Sequence, residues 1–119
     1  MSNLISVIMP CYNAAETLPL ALASLLCQTY EHWECIIVDD GSTDQPEKII
    51  ARFADDRIRF IQLPENRGRG AARQVALEHV QGTFMCMLDA DDWIYPTKLA
   101  TQIAFLDQHP ELVLASTQL

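Results

Sequence analysis

The sequence predicts an α/β fold: a mainly parallel sheet with helices on both faces, Rossmann-like in plan. Two observations predict it. Short apolar runs alternate with longer amphipathic ones along the chain. Several of the short runs are apolar at successive positions, as strands buried on both faces must be. In such a sheet ligands bind beyond the carboxyl ends of the strands, near the point where strand order reverses. The polar residues directly after each strand are therefore the ones to examine.

The elements follow in order. Strands are expected at 4–9, 35–38, 58–63, 83–88 and 112–115, mostly rich in Ile, Val, Phe or Met. In the first helix Leu18, Leu22, Leu25 and Leu26 recur at helical spacing, with Thr17 as N-cap and Pro19 tolerated in the first turn. A second helix is expected at 46–53. A third runs over 70–80, with Ala72, Val75, Ala76 and His79 on one side. A fourth spans 96–108, with Leu99, Ile103 and Leu106 in phase, and His109-Pro110 stops it. The order is β-α-β-α-β-α-β-α-β, and crossover helices between strands imply parallel pairing.

With 119 residues the chain is a single domain, residues 1–119, near the usual size of about 100–150 residues. Hydrophobic residues make up 50% and charged ones 20%, which excludes the disordered class. Eight basic against 16 acidic residues give a formal charge of −8. Such a surface repels nucleic acid and anionic membranes, so no nucleic-acid partner is expected. Cys11, Cys27, Cys35 and Cys86 lack C-x-x-C spacing and read as buried free thiols. The apolar run 4–9 ends at Pro10, too short for a signal peptide or a transmembrane segment. A reducing, cytoplasmic setting is expected.

Three strand ends carry candidate chemistry. The first gives Pro10-Cys11-Tyr12-Asn13. Pro10 has no N–H to donate and is expected to stop strand pairing there. Tyr12 can flank a base, and Asn13 can bond either a ligand or the local turn. The second end gives Asp39-Asp40-Gly41-Ser42-Thr43-Asp44. Two adjacent carboxylates repel and need solvent, a donor or a cation. One of them can accept hydrogen bonds from a base or ribose. Gly41 supplies a tight turn, and Ser42, Thr43 or Asp44 can cap the next helix.

The fourth strand ends in Leu88-Asp89-Ala90-Asp91-Asp92. Residues two apart in an extended segment point to one side, so Asp89 and Asp91 can converge on a hard cation such as Mg²⁺ or Mn²⁺. A diphosphate leaving group needs such a cation as its charge rises. The stretch from Asn66 to Arg73 carries Arg67, Arg69 and Arg73 beside Gly68 and Gly70. Here Arg73 reads equally as a phosphate partner or as a bridge to a carboxylate, while Arg67 and Arg69 read as solvated. His32, His79 and His109 are scattered and carry no chemistry. Trp33 and Trp93 read as packing residues, with Trp93 also placed to line a sugar site.

Taken in order, Ser6-Val7-Ile8-Met9-Pro10-Cys11-Tyr12-Asn13, Ser24-Leu25-Leu26 with Gln28-Thr29-Tyr30, Ile36-Ile37-Val38-Asp39-Asp40-Gly41-Ser42-Thr43-Asp44, Asn66-Arg67-Gly68 with Ala72-Arg73, and Leu88-Asp89-Ala90-Asp91-Asp92 resemble family 2 glycosyltransferases of the GT-A fold. The set covers nearly the whole chain. The resemblance implies an inverting transfer of a sugar from a nucleoside-diphosphate donor, UDP-linked most often, to a saccharide or lipid-linked acceptor in polysaccharide biosynthesis. It implies that Pro10, Tyr12, Asn13, Asp39, Asp40, Arg73 and Ala90 line the nucleotide site. Asp89 and Asp91 would form the D-x-D pair holding Mn²⁺ or Mg²⁺, Asp92 would touch the sugar, and Glu16 would sit near the nucleotide.

In that family the acceptor region and the general base follow the D-x-D segment at a distance. After Asp92 this chain offers only Asp107 and Glu111, so an incomplete domain is expected, with the base beyond Leu119. An exposed sheet edge would then favour a homo-oligomer. Three other readings compete. A sugar nucleotidyltransferase would carry a glycine-rich basic loop after the first strand, where Cys11-Tyr12-Asn13-Ala14-Ala15 stands. A receiver-like switch would place its acids after the first strand. A nucleotide-binding fragment without transferase activity is the strongest rival.

Overall fold

The structure is a computed structural model that describes residues 3–109. Its elements are β1 (Ile5–Cys11), α1 (Leu18–Leu26), β2 (Trp33–Asp39), α2 (Pro46–Phe53), β3 (Ile58–Gln62), α3 (Arg69–Leu77), β4 (Phe84–Met87) and α4 (Lys98–Gln108). The four described strands pair in parallel in the order β3-β2-β1-β4. The strand expected at 112–115 lies outside the described residues.

Burial explains the order. Every residue of β1 and of β2 is buried, whereas β3 and β4 are partly exposed. The mostly apolar β1 and β2 take the middle, where both faces are covered, and their few polar residues, Ser6, Glu34 and Asp39, are buried with them. Odd residues of β1 (Ile5, Val7, Met9, Cys11) join Leu18, Leu22, Leu25, Leu99 and Ile103 in one core, with Ile49, Ile50 and Phe53 at its margin. Ile8, Ile36 and Val38 meet Ala72 and Ala76 on the other face. Helices α1, α2 and α4 therefore cover one side and α3 the other.

Chain order moves outward from β1 to β2 to β3 and then crosses back to β4 on the far side of β1. The reversal of strand order thus falls between β1 and β4, and it places the ends of these two strands side by side.

Four local expectations change. Pairing of β1 with β2 continues through Pro10↔Val38 to Cys11↔Asp39, so Pro10 does not stop it. The carbonyl of Ile8 accepts from Leu88 N, and that of Cys11 from Asp40 N. By alternation, the nitrogen of Pro10 faces the β4 side, where pairing has ended at Met87. Its missing N–H removes no bond to β2. Secondly, Thr17 stands at the N-cap of α1 but makes no cap bond, donating instead to the carbonyls of Ala90 at 3.0 Å and Ala14 at 3.2 Å. Thirdly, Gln45, with φ 61°, is the N-cap residue of α2. Ser42, Thr43 and Asp44 serve the neighbouring loop instead. Lastly, Cys11, Cys35 and Cys86 are buried, but Cys27 is exposed.

Candidate functional site

The carboxyl ends of β1 and β4 open into a cleft of about 420 Å³, within the range of roughly 300–1,000 Å³ usual for small-molecule sites. Its floor and walls come from the segment after β1, from Asp40, from the start of α3 and from the segment after β4.

Side-chain bonds to backbone lock the two loops beside β1 together. Asn13 takes φ 48°, a left-handed conformation that Asn accepts more readily than most residues. Its N–H donates to Ser42 Oγ at 2.8 Å, and its Oδ1 accepts from Thr43 N at 2.9 Å. Asp44 Oδ2 accepts from Ala15 N at 2.9 Å. The residues expected to cap α2 thus shape the cleft rim. Tyr12, half exposed at 51%, leaves its ring free at the cleft edge.

The adjacent acids after β2 part company. Asp39 is fully buried, accepts from the Ser42 hydroxyl and from Gln62 Nε2 at 3.3 Å, and does not line the cleft. Direct ligand contact, expected of it from the sequence, gives way to a bracing role, because successive strand residues face opposite sides. Asp40 does line the cleft. Its Oδ1 accepts from Arg67 N at 2.7 Å and its Oδ2 from Gly68 N at 2.8 Å. A carboxylate offers about four lone-pair positions, so acceptor capacity remains for a ligand donor. Gly41 makes the arrangement possible: with φ +76°, a Cβ there would lie 2.6 Å from Asn66 N.

After β4 the chain turns rather than staying extended, since Asp92 N donates to the Asp89 carbonyl at 3.0 Å. Asp89 and Asp91 nevertheless line the same cleft, with the buried Ala90 between them. The turn converges them, where the sequence reading invoked strand alternation. Among the described residues no group of three or more His, Cys, Asp or Glu side chains gathers to hold a metal. Two hard carboxylate donors suit Mg²⁺ or Mn²⁺, which take their remaining positions from phosphate and water.

Several residues stand apart from their expected places. Arg73 and Asp92 line a second, shallower depression together with Met87 and Asp89. Trp93 is 41% exposed and meets Tyr95 edge-on at 4.9 Å, so it is not a core residue. Trp33 is buried, with the Arg57 guanidinium 3.9 Å above its ring. Glu16 does line the cleft, as do Arg69, Thr17 and Cys11. Sequence reasoning assigned these last three to a solvated loop, a cap and the core; for Thr17, its position at the start of the helix that follows the first strand was the available signal. The Cys11 thiol is pushed up to about 11 by burial and then by the charges of Asp39 and Asp44, which keeps it protonated at neutral pH.

This geometry coincides with a sequence match. The family model "Glycosyl transferase family 2" matches residues 6–118. The chain belongs to glycosyl transferase family 2. It is 38% identical over 103 residues to an Escherichia coli protein named UDP-Glc:alpha-D-GlcNAc-diphosphoundecaprenol beta-1,3-glucosyltransferase WfgD, covering 87% of this chain and 41% of that one. Its fold is that of the GT-A transferases. S. aureus TarS 1-349, solved with UDP-GlcNAc, superposes with a TM-score of 0.85 at 35% identity, covering 89% of this chain and 32% of TarS. The mannosyltransferase PcManGT from Pyrobaculum calidifontis, solved with GDP-Man and Mn²⁺, gives 0.79 at 29% identity, over 86% and 32% of the two chains. This family 2 chain spans about two-fifths of the length of the curated relatives it matches.

Proposed function

We propose that the protein transfers a sugar from a UDP-linked donor to a hydroxyl of a saccharide or lipid-linked acceptor, with inversion, in polysaccharide biosynthesis. The observation that carries this reading is the cleft at the strand-order reversal, which gathers Tyr12, Asp40, Asp89 and Asp91 along its lining. The donors of TarS and WfgD, named above, are UDP sugars, which favours UDP over GDP.

In this reading the Tyr12 ring flanks the base, while Pro10, Asn13 and Ala90 shape the pocket around it. Asp40 accepts from the base or ribose through its remaining lone pairs, and Asp39 braces the turn behind it. Asp89 and Asp91 hold Mn²⁺ or Mg²⁺, which offsets the charge that grows on the diphosphate as the sugar departs. Across Asp89, Arg73 and Asp92 face the donor sugar.

The acceptor hydroxyl must lose a proton as it attacks the anomeric carbon. We place the base beyond Leu119. Asp107 lies close to Tyr30, whose pKa is raised by burial and then by that carboxylate. The Tyr30 hydroxyl donates to the Asn3 carbonyl, ahead of β1 and at the opposite end of the sheet from the cleft. Glu111 lies outside the described residues. No described helix is long and apolar enough to cross a membrane. We place the protein in the cytoplasm, where its unpaired cysteines would stay reduced.

Calorimetric titration of UDP into the protein, with and without Mn²⁺, tests the reading. Binding should require the metal and should weaken by at least about 100-fold in Asp91→Asn, at or beyond the top of the range for disturbing a metal site. A folded protein that binds none of UDP, GDP and dTDP would overturn it.

A further inference from the structure

Three arginines fall within seven residues of one another, and the structure sends them to three places. Arg67 is exposed and stands 3.9 Å from Glu65. Arg73, one turn into α3, lines the shallow depression beside Asp92. Arg69, the first residue of α3, lines the main cleft.

Among the described residues Arg69 is the only basic side chain on that cleft, whose carboxylates are Glu16, Asp40, Asp89 and Asp91. None of the described ion pairs involves Arg69. A diphosphate carries several negative charges, so an acidic cleft must supply cations wherever its phosphates rest. Asp89 and Asp91 can recruit one, but a divalent ion leaves part of that charge uncompensated. Arg69 stands free to meet the remainder, and the positive end of the α3 dipole, where Arg69 is the first residue, adds to the same field.

We propose that Arg69, rather than Arg73, is the arginine that pairs with the diphosphate; this rests on the nucleotide-sugar reading of the cleft. The placement is built rather than incidental. Asp40 holds the N–H groups of Arg67 and Gly68, the two residues just before Arg69. Gly68, at φ +98°, makes the bend from that anchored loop into α3. Asp40 is thus also a positioning residue: it fixes the backbone from which the guanidinium reaches the phosphates. Fixing that backbone in the free protein lowers the ordering cost on binding.

Titration of UDP and of uridine, both with Mn²⁺, into wild type, Arg69→Gln, Arg69→Lys, Arg73→Gln and Arg67→Gln tests the assignment. Arg69→Gln should weaken UDP by about tenfold or more, as expected for a charge-assisted bond, and leave uridine unchanged. Arg69→Lys should recover part of the loss, since lysine keeps the charge without the fork. Arg73→Gln should cost less than Arg69→Gln, and Arg67→Gln should match wild type. Equal UDP affinity in Arg69→Gln and wild type would overturn the assignment, as would a parallel loss for uridine, which marks a collapsed pocket. A wild-type protein that binds no nucleoside diphosphate would overturn the cleft reading as well, so the two failures are distinguishable.

Discussion

At the amino end of the strands, Glu34 accepts from the Ser6 hydroxyl at 2.6 Å, from Gln81 N at 2.8 Å and from Arg59 at 3.1 Å. Arg59 also donates to the His79 carbonyl, and Gly82 N donates to Ser6 Oγ. Gly82 fits because a Cβ would lie 2.5 Å from both Ser6 Oγ and the Leu4 carbonyl. At the carboxyl end, by contrast, none of the described ion pairs involves Asp40, Asp89 or Asp91. Both ends use carboxylates and arginines. One end closes its charges on each other and thereby joins β1, β2, β3 and the turn before β4. The other leaves them turned toward a cleft. Ion pairing within the protein marks the structural end, and carboxylates outside every described ion pair mark the end that awaits a ligand.

The sharpest way to break this comparison is to open the closed end. Glu34→Ala strands a buried hydroxyl, a backbone N–H and a guanidinium. We expect a loss of about 2–3 kcal/mol, below the usual cost of breaking a buried pair because the Arg59 side chain is 35% exposed and screened. Urea unfolding measures it, and UDP affinity of the folded protein should stay within about twofold. A large affinity change would mean that the two ends are coupled.

The same carboxylate predicts a pH dependence. Burial alone would raise the Glu34 pKa, but the bonds from Ser6, Gln81 and Arg59 hold it below the ordinary 4.5. A group depressed in the folded state stabilises fully above its unfolded value, and that contribution is lost as pH falls through the folded one. The stability gap between wild type and Glu34→Gln should therefore be widest above pH 4.5 and narrow below it. A gap independent of pH would show that the charge contributes nothing.

Gly41→Ala probes the open end with a smaller stability cost of about 1–2 kcal/mol from the positive φ and the clash with Asn66. Its larger effect should be on UDP affinity, because the displaced loop at Glu65 and Asn66 leads into Arg69. Unchanged affinity by titration would mean that the Asp40 clamp does not govern the site. The smallest perturbation is alkylation of the native protein near pH 8. Only exposed Cys27 should react, since Cys11, Cys35 and Cys86 are buried with their thiols pushed up. Mass spectrometry should find one label before denaturation and four after; a labelled Cys11 would show that the cleft floor is open.

Much of the fold was legible because period and composition are local properties. The mostly apolar runs of β1 and β2 marked strands, and the leucine spacing of α1 marked its buried face. Helix α2 kept its expected bounds and α1 its expected start at Leu18, whereas α3 ended three residues early, α4 began two residues late and β2 began two residues early. The site was legible only in outline. The sequence placed acids after β2 and β4, but it gave Asp39 and Asp40 equal standing, and it favoured Arg73 over Arg69.

By itself the sequence determined the kind and order of the elements, the family and the loops in which function resides. Tertiary structure decided which member of each pair faces the cleft. Alternation says that neighbours on a strand point apart, and helical spacing separates Arg69 from Arg73, but neither says where the ligand lies. That depends on β4 crossing back to pair with β1, a contact between residues some 80 positions apart in the chain. Such pairing follows from the burial of both faces of β1 by helices on either side, which no local stretch of sequence encodes.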